Sequence, residues 1–146
     1  MVIDRSKVKI RNMIETDLEK IKGIDRELVS PDRAPSWPLA AEADWWVNRP
    51  TLNFVAEVDD EVGGFLLGDI RGAKYGTDIS GWLDLIGVAR KYQGVGIGRM
   101  LVEAFYEECQ RNEVGVRVIV REDDERLIGF CTAVGFQKGN LASYER

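Results

Sequence analysis

The stretch from Leu85 to Leu101 constrains this chain more than any other. A strand-like apolar run ends at Val88, and a helical repeat begins at Ile97. Between them Gly94, Gly96 and Gly98 recur at alternate positions. Ile97, Met100, Leu101, Ala104, Phe105 and Cys109 then follow at the spacing of one helical face. A buried strand passing directly into an amphipathic helix belongs in a layered sheet-and-helix domain. Glycine at the junction lets the backbone approach a ligand and take up φ values that other residues avoid. The first amides of the helix have no partner within it, and its dipole favours negative charge there. Together these features predict a phosphate cradle built from Gln93, Gly94, Val95, Gly96, Ile97, Gly98 and Arg99. A tight turn with no ligand is the plain alternative.

The flanking pattern is consistent with one mixed α/β (α+β) sheet carrying helices. Val8 and Ile10 alternate with charged residues as a strand, and Thr16–Glu19 reads as a capping box before a stripe of Leu18, Ile21, Ile24 and Leu28. Ser30–Pro38, with three prolines, predicts an irregular loop, and Leu39–Asn48 a short helix with Ala43, Trp46 and Val47 on one face. Asn53–Val58 and Glu61–Ile70, separated by Asp59 and Asp60, predict a hairpin. After a polar connection at Arg71–Asp78, Ile79–Val88 is the most strand-like run. Val116–Val120 predicts a further strand, Glu125–Val134 a helix, and Phe136 onward a closing strand or hairpin. No repeat or linker divides residues 1–146, so a single domain is expected.

Composition narrows the chemistry. A net charge of −5 argues against nucleic acid or an anionic membrane as partner and suits a cationic substrate such as an amine. The chain has no histidine, which removes Ser-His-Asp and Cys-His catalysis and most zinc sites; no metal is expected. Two cysteines, Cys109 and Cys131, read as buried thiols in a reducing compartment. No apolar run is long enough to span a bilayer, and the charged start of the chain is unlike a secretory signal, so a cytoplasmic location is expected.

The spacing of the turn selects among phosphate sites. A P-loop needs Gly-Lys-Ser/Thr at the helix start, which Gly98, Arg99 and Met100 do not supply. A dinucleotide fingerprint needs a different glycine spacing. What remains, Gln93-x-x-Gly96-x-Gly98, resembles the Gln/Arg-x-x-Gly-x-Gly/Ala signature of the GNAT N-acetyltransferase superfamily. Phe130–Phe136 is similar to that family's Phe-Tyr-x-x-x-Gly-Phe element, and the element order agrees along essentially the whole chain.

The resemblance implies a GNAT fold binding acetyl-CoA. It implies that Ile86, Gly87 and Val88 form the splayed strand end along which the pantetheine arm pairs, and that the Gln93–Arg99 turn holds the pyrophosphate. It also exposes departures. Cys131 stands where members commonly place a tyrosine that protonates the departing thiolate. Asp124 stands where many carry an asparagine on the cofactor, and Arg90 where a proline is frequent. A glutamate that some members use as a base would fall on Ile119. Cys131 therefore has three readings: proton relay, acyl-carrying nucleophile without a histidine to activate it, or small apolar filler.

Asp84, lying between Leu83 and Leu85, is the better candidate base. If Ile79–Val88 is one regular strand, Trp82, Asp84, Ile86 and Val88 share a face. Glu57 and Asp69 are weaker alternatives. Trp37, Trp45 and Trp46 either line the acceptor pocket or pack in the core, and Arg90, Lys91 and Arg99 are candidate partners of CoA phosphates. The function implied is direct acetyl transfer from acetyl-CoA to a primary amine of a protein N-terminus, lysine or small molecule. The alternatives are a CoA-binding sensor of weak activity and an acyltransferase using another acyl-CoA; a homodimer is compatible with either.

Overall fold

Hydrophobic alternation and helical periodicity set the order of elements. The computed structural model describes residues 4–31, 33, 52–72 and 74–146. The expected Leu39–Asn48 helix and the Trp37, Trp45 and Trp46 cluster lie outside the described residues. Strand β1 covers Val8–Asn12, helix α1 Leu18–Glu27, β2 Phe54–Val58 and β3 Glu61–Arg71. They are followed by β4 at Ser80–Val88, α2 at Ile97–Arg111, β5 at Gly115–Val118 and α3 at Glu125–Ala133. The strands form one sheet in the order β1-β2-β3-β4-β5, antiparallel except for the parallel pair β4 and β5. This is the mixed sheet with flanking helices that the pattern predicts.

Asp59 and Asp60 join β2 to β3 with φ of 50° and 63°. Positive φ at both central residues is the mark of a type I′ turn, whose twist matches the flanking strands. Helix α2 then lies close on one face of the sheet. Gly64, Gly68 and Gly81 make that approach possible, since a Cβ on each would meet Ile97 and Leu101, Phe105, or Cys109 respectively. All four of those α2 side chains are buried. Gly87 faces the other way, towards Phe65 and Leu28 at the end of α1. The two helices thus cover opposite faces, with Ile21, Val55, Val58, Leu66 and Leu67 completing the core. Among the described residues no helix is long and apolar enough to cross a membrane.

Packing overrides three local expectations. The first concerns the capping box at Thr16–Glu19. Helix α1 instead grows out of a 3-10 turn at Glu15–Asp17, and its N-cap Asp17 makes no side-chain cap. The Asp17 carboxylate accepts from the Ile14 amide (2.8 Å) and from both terminal nitrogens of Arg11 (2.8 and 2.9 Å). A bidentate charge-assisted pair to β1 is stronger than a local cap.

The second concerns Phe136 onward, where no strand forms among the described residues. Helix α3 ends there in a Schellman motif. Gly135 has φ of 100°, its N–H donates to the Thr132 carbonyl (3.1 Å), and the Phe136 N–H donates to the Cys131 carbonyl (2.9 Å). Phe136 closes a helix where its apolar character suggested a new strand.

The third concerns β4. Leu67 pairs with Leu85 and Gly68 with Leu83, so Asp84 is the extra residue of a β-bulge. Alternation slips at that point. Trp82 lies on the face opposite α2 because its neighbour Gly81 faces Cys109, and Asp84 shares that face through Arg71. Val88 faces Gly98 of α2, and Ile86 follows it by alternation. The one face expected for Trp82, Asp84, Ile86 and Val88 is divided between the two sides of the sheet.

Candidate active site

Strand β5 is short, and it pairs with β4 only from Ser80 to Leu83. From Asp84 to Val88, β4 continues without it, so the two strands part at Leu83 and Val118. The Ala89 N–H donates to the Gly63 carbonyl on the β3 side (2.9 Å). The Val88 carbonyl of that same peptide unit therefore points the opposite way, into the opening. By alternation the main-chain groups of Ile86 and Val88 point into it, while those of Gly87 point to β3. An extended arm lying along β4 here meets strand-like donors and acceptors, the principle of strand addition at a sheet edge.

The opening runs up to the glycine turn. Gly94 and Gly96 have φ of 82° and 95°, the left-handed region where a Cβ is penalised. Gly96 is the N-cap of α2 and brings no side-chain cap, and the first turn of the helix holds no acidic residue. The leading amides of α2 are thus left for an anion, and the helix dipole adds to the attraction. Gly98 has a different reason to be small: a Cβ there would lie 3.0 Å from the Phe130 ring of α3. The turn is thus open to an anion at its leading amides, those of Gly98 and Arg99 included, and Gly98 also admits α3 against α2.

Side chains around the turn make contacts within the protein. Gln93 is a strut, donating from Nε2 to the Val88 carbonyl (2.9 Å) and accepting at Oε1 from Arg126 of α3 (3.0 Å). Arg99 donates to the Ala133 carbonyl (2.6 Å), and Lys91 pairs with Glu61 (3.3 Å). The cation that overhangs the turn is Arg5, from a 3-10 turn at Arg5–Lys7 that precedes β1. Its Nε donates to the Val95 carbonyl (2.8 Å), and its Nη2 lies 3.1 Å from where a Gly96 Cβ would be. Nothing near Arg5 in sequence signals this, because the contact spans 90 positions.

Where β4 and β5 part, Arg71, Tyr75, Trp82, Leu83, Asp84 and Ile119 line a recess of about 110 Å³. Arg71 grips Asp84 through two parallel bonds of 2.9 and 2.7 Å. The same guanidinium lies 5.5 Å over the Trp82 ring, and Tyr75 meets that ring edge-on at 5.9 Å. Among the described residues the buried Trp82 indole N–H has no hydrogen-bond partner. Asp84, the candidate base, is therefore at the fork of the two strands, beside Ile119 and held by a cation.

The other candidates are committed elsewhere. Glu57 accepts from Arg11 (2.6 Å) on the β1 side of the sheet, and Asp69 accepts from the Ile70 amide (2.8 Å). Asp124 caps α3 by accepting from the Leu127 N–H (3.0 Å). Cys109 and Cys131 are both buried, free thiols. Burial, aided by the charge on Asp124, raises the Cys131 thiol above its ordinary pKa. A thiol made less acidic than usual is poorly matched to protonating a leaving thiolate and is a poor source of nucleophile. Cys131→Ala is accordingly expected to keep kcat within about fivefold, since general acid–base groups are worth roughly a hundredfold or more. Thiol-release kinetics check this, and a hundredfold loss would restore the relay. Among the described residues no group of His, Cys, Asp and Glu is arranged to hold a metal ion.

Comparison with known proteins gives a consistent result. Residues 18–136 match the model of the acetyltransferase (GNAT) family. The structure resembles Ard1 from Thermoplasma volcanium with a TM-score of 0.77 at 23% identity, over 92% of this chain and 85% of that one. It resembles Arabidopsis thaliana Naa50, solved in complex with the bisubstrate analogue CoA-Ac-MVNAL, with a TM-score of 0.73 at 19% identity over 92% and 85%. For the aminoglycoside antibiotic 6'-N-acetyltransferase AAC(6')-IG from Acinetobacter haemolyticus the TM-score is 0.80 at 18% identity over 94% and 97%. No curated protein matches the sequence.

Proposed function

Since the chain belongs to the acetyltransferase (GNAT) family, we propose that it transfers an acetyl group from acetyl-CoA to a primary amine, directly and within a ternary complex. The observation that carries this reading is the continuity of three features. An amide-lined turn at Gly94–Arg99 leads to a β4 edge at Ile86–Val88 that β5 does not cover, and that edge ends at a carboxylate, Asp84. Phosphate, extended arm and amine would meet in that order along one path. Acetyl-CoA supplies an acyl group activated as a thioester.

The chain's own groups would do the rest. The Ile86 and Val88 main chain orients the arm, and the Val88 N–H, directed into the opening, donates to a carbonyl oxygen on which negative charge develops. Asp84 attracts the ammonium and takes its proton, directly or through water. In the transfer the amine nitrogen bonds to the acyl carbon as the C–S bond breaks. The nitrogen sheds two protons in all, one of which ends on the thiolate sulfur. Positioning both reactants supplies much of the rate, so weak acid–base groups remain sufficient. Naa50 as solved with a CoA-linked peptide, and AAC(6')-Iy as solved with a CoA-linked aminoglycoside analogue, offer precedents for an amine meeting CoA on this fold.

The rival reading, a CoA-binding module with little turnover, draws on Cys131 where family members carry tyrosine. A CoA thermal shift combined with thiol release over a broad amine panel separates the two. A shift with amine-dependent release is expected; a shift with no release for any amine would favour the module. Competition by longer or acidic acyl-CoAs in the same assay tests donor choice.

A further inference from the structure

We propose that the acceptor amine carries its own carboxylate close by, as in a free α-amino acid, and that Arg71 reads that carboxylate while Asp84 holds the ammonium. The inference rests on the acetyl-transfer reading and specifies the substrate class of that site. Its observations are the charge pattern at the fork of β4 and β5 and the recess that surrounds it.

The described lining of the recess holds one fixed anion, Asp84, and one fixed cation, Arg71, in contact with each other. That pairing does not exhaust either group. A guanidinium has five N–H donors, of which two go to Asp84, and a carboxylate has further lone-pair positions on both oxygens. A zwitterion can therefore dock across the pair without breaking it, ammonium on Asp84 and carboxylate on Arg71. The Arg71 guanidinium also lies 5.5 Å from the centre of the Trp82 ring, a second contact that holds it at the recess.

The recess admits such a unit, and charge opposes the other amine classes. About 110 Å³ is the volume of roughly four waters, enough for an ammonium–carbon–carboxylate unit and part of a side chain. A polycation such as an aminoglycoside would set a second positive charge against Arg71, and like charges so placed cost several kcal/mol. A peptide N-terminus offers the ammonium but replaces the carboxylate by a neutral amide, which leaves the remaining Arg71 donors without an anion. The recess is also where the reaction requires it. It opens at Leu83 and Asp84, where β4 leaves β5 and the unpaired edge begins.

The test uses the intact protein with acetyl-CoA and thiol release as readout. Each standard L-amino acid is compared with its α-carboxamide, with its decarboxylated amine, and with short peptides beginning in that residue; an aminoglycoside completes the panel. At least one amino acid is expected to exceed its own carboxamide by tenfold or more in kcat/KM. In Arg71→Gln that ratio should fall to near one through a higher KM for the amino acid, while Arg71→Lys should keep part of it. Preference for carboxamide, peptide or aminoglycoside in the wild type would overturn the proposal, as would a preference that survives Arg71→Gln. Should no amine be turned over, acetyl transfer itself fails, and the recess is judged separately by calorimetry on the CoA-loaded protein. Amino-acid binding abolished by Arg71→Gln supports the zwitterion site, and absence of binding rejects it.

Discussion

Replacing Gly96 with valine is expected to weaken CoA binding by a hundredfold or more while leaving the fold in place. Gly96 has φ of 95° and ψ of 9°, and it is the N-cap of α2. An L-residue in the left-handed region costs roughly 1–2 kcal/mol, and a β-branched one more. The new Cβ would stand 3.1 Å from Arg5 Nη2, and its methyl groups would extend over the amides at the start of α2. A hydrogen bond to a charged group contributes about 1.5–3 kcal/mol, and each 1.4 kcal/mol is tenfold in affinity. Losing two such bonds to a diphosphate already exceeds a hundredfold. Calorimetric titration with CoA measures the loss, and a melting curve shows that the domain still folds. Gly94→Ala separates strain from obstruction, since Gly94 has φ of 82° but no atom within 4 Å of its would-be Cβ. It should lower stability slightly and affinity less than tenfold. An unchanged Kd in Gly96→Val would remove the turn from the binding site.

Asp84→Asn is expected to lower kcat/KM by about a hundredfold at neutral pH, the scale of a single general acid–base group. The loss should shrink as pH rises. At neutral pH an aliphatic amine is mostly ammonium, so the reaction depends on a group that attracts it and takes its proton. At alkaline pH the free amine is abundant and that dependence fades. A pH–rate profile of the variant against the wild type decides the matter, with CoA affinity as control because the turn is untouched. A loss equal at every pH would assign Asp84 to structure, through its two bonds to Arg71. Comparison with Arg71→Gln guards against that outcome being misread, since both variants break the ion pair but only one removes the carboxylate.

Both experiments act on features that differ in how openly the amino-acid order displays them. The turn was legible because everything that defines it is local. Glycines at alternate positions and a helical stripe starting at Ile97 lie within a short stretch, and backbone sterics act residue by residue. The hairpin at Asp59 and Asp60 was legible for the same reason. The chemistry at the fork was not. Asp84 owes its position to a bulge created by its register against β3, and register is a property of two strands. Its partner Arg71 comes from 13 positions away, and Arg5 reaches the turn from 90 positions away. Gly98 fits the cradle by its spacing, and only the fold shows that Phe130 of α3 also requires it to be small.

By itself the sequence determined the order of the described elements as far as α3, the strand-turn-helix junction, and the exclusion of histidine-dependent chemistry. All of these follow from backbone conformation, periodicity and composition, which need no knowledge of what lies across the fold. Only the tertiary structure decided which cation overhangs the turn, that Gln93 braces β4 against α3, and that Asp84 meets Arg71 where β4 and β5 part. Those are contacts between segments brought together by burial of the core. Burial selects which faces meet, and that selection is made by the whole chain at once.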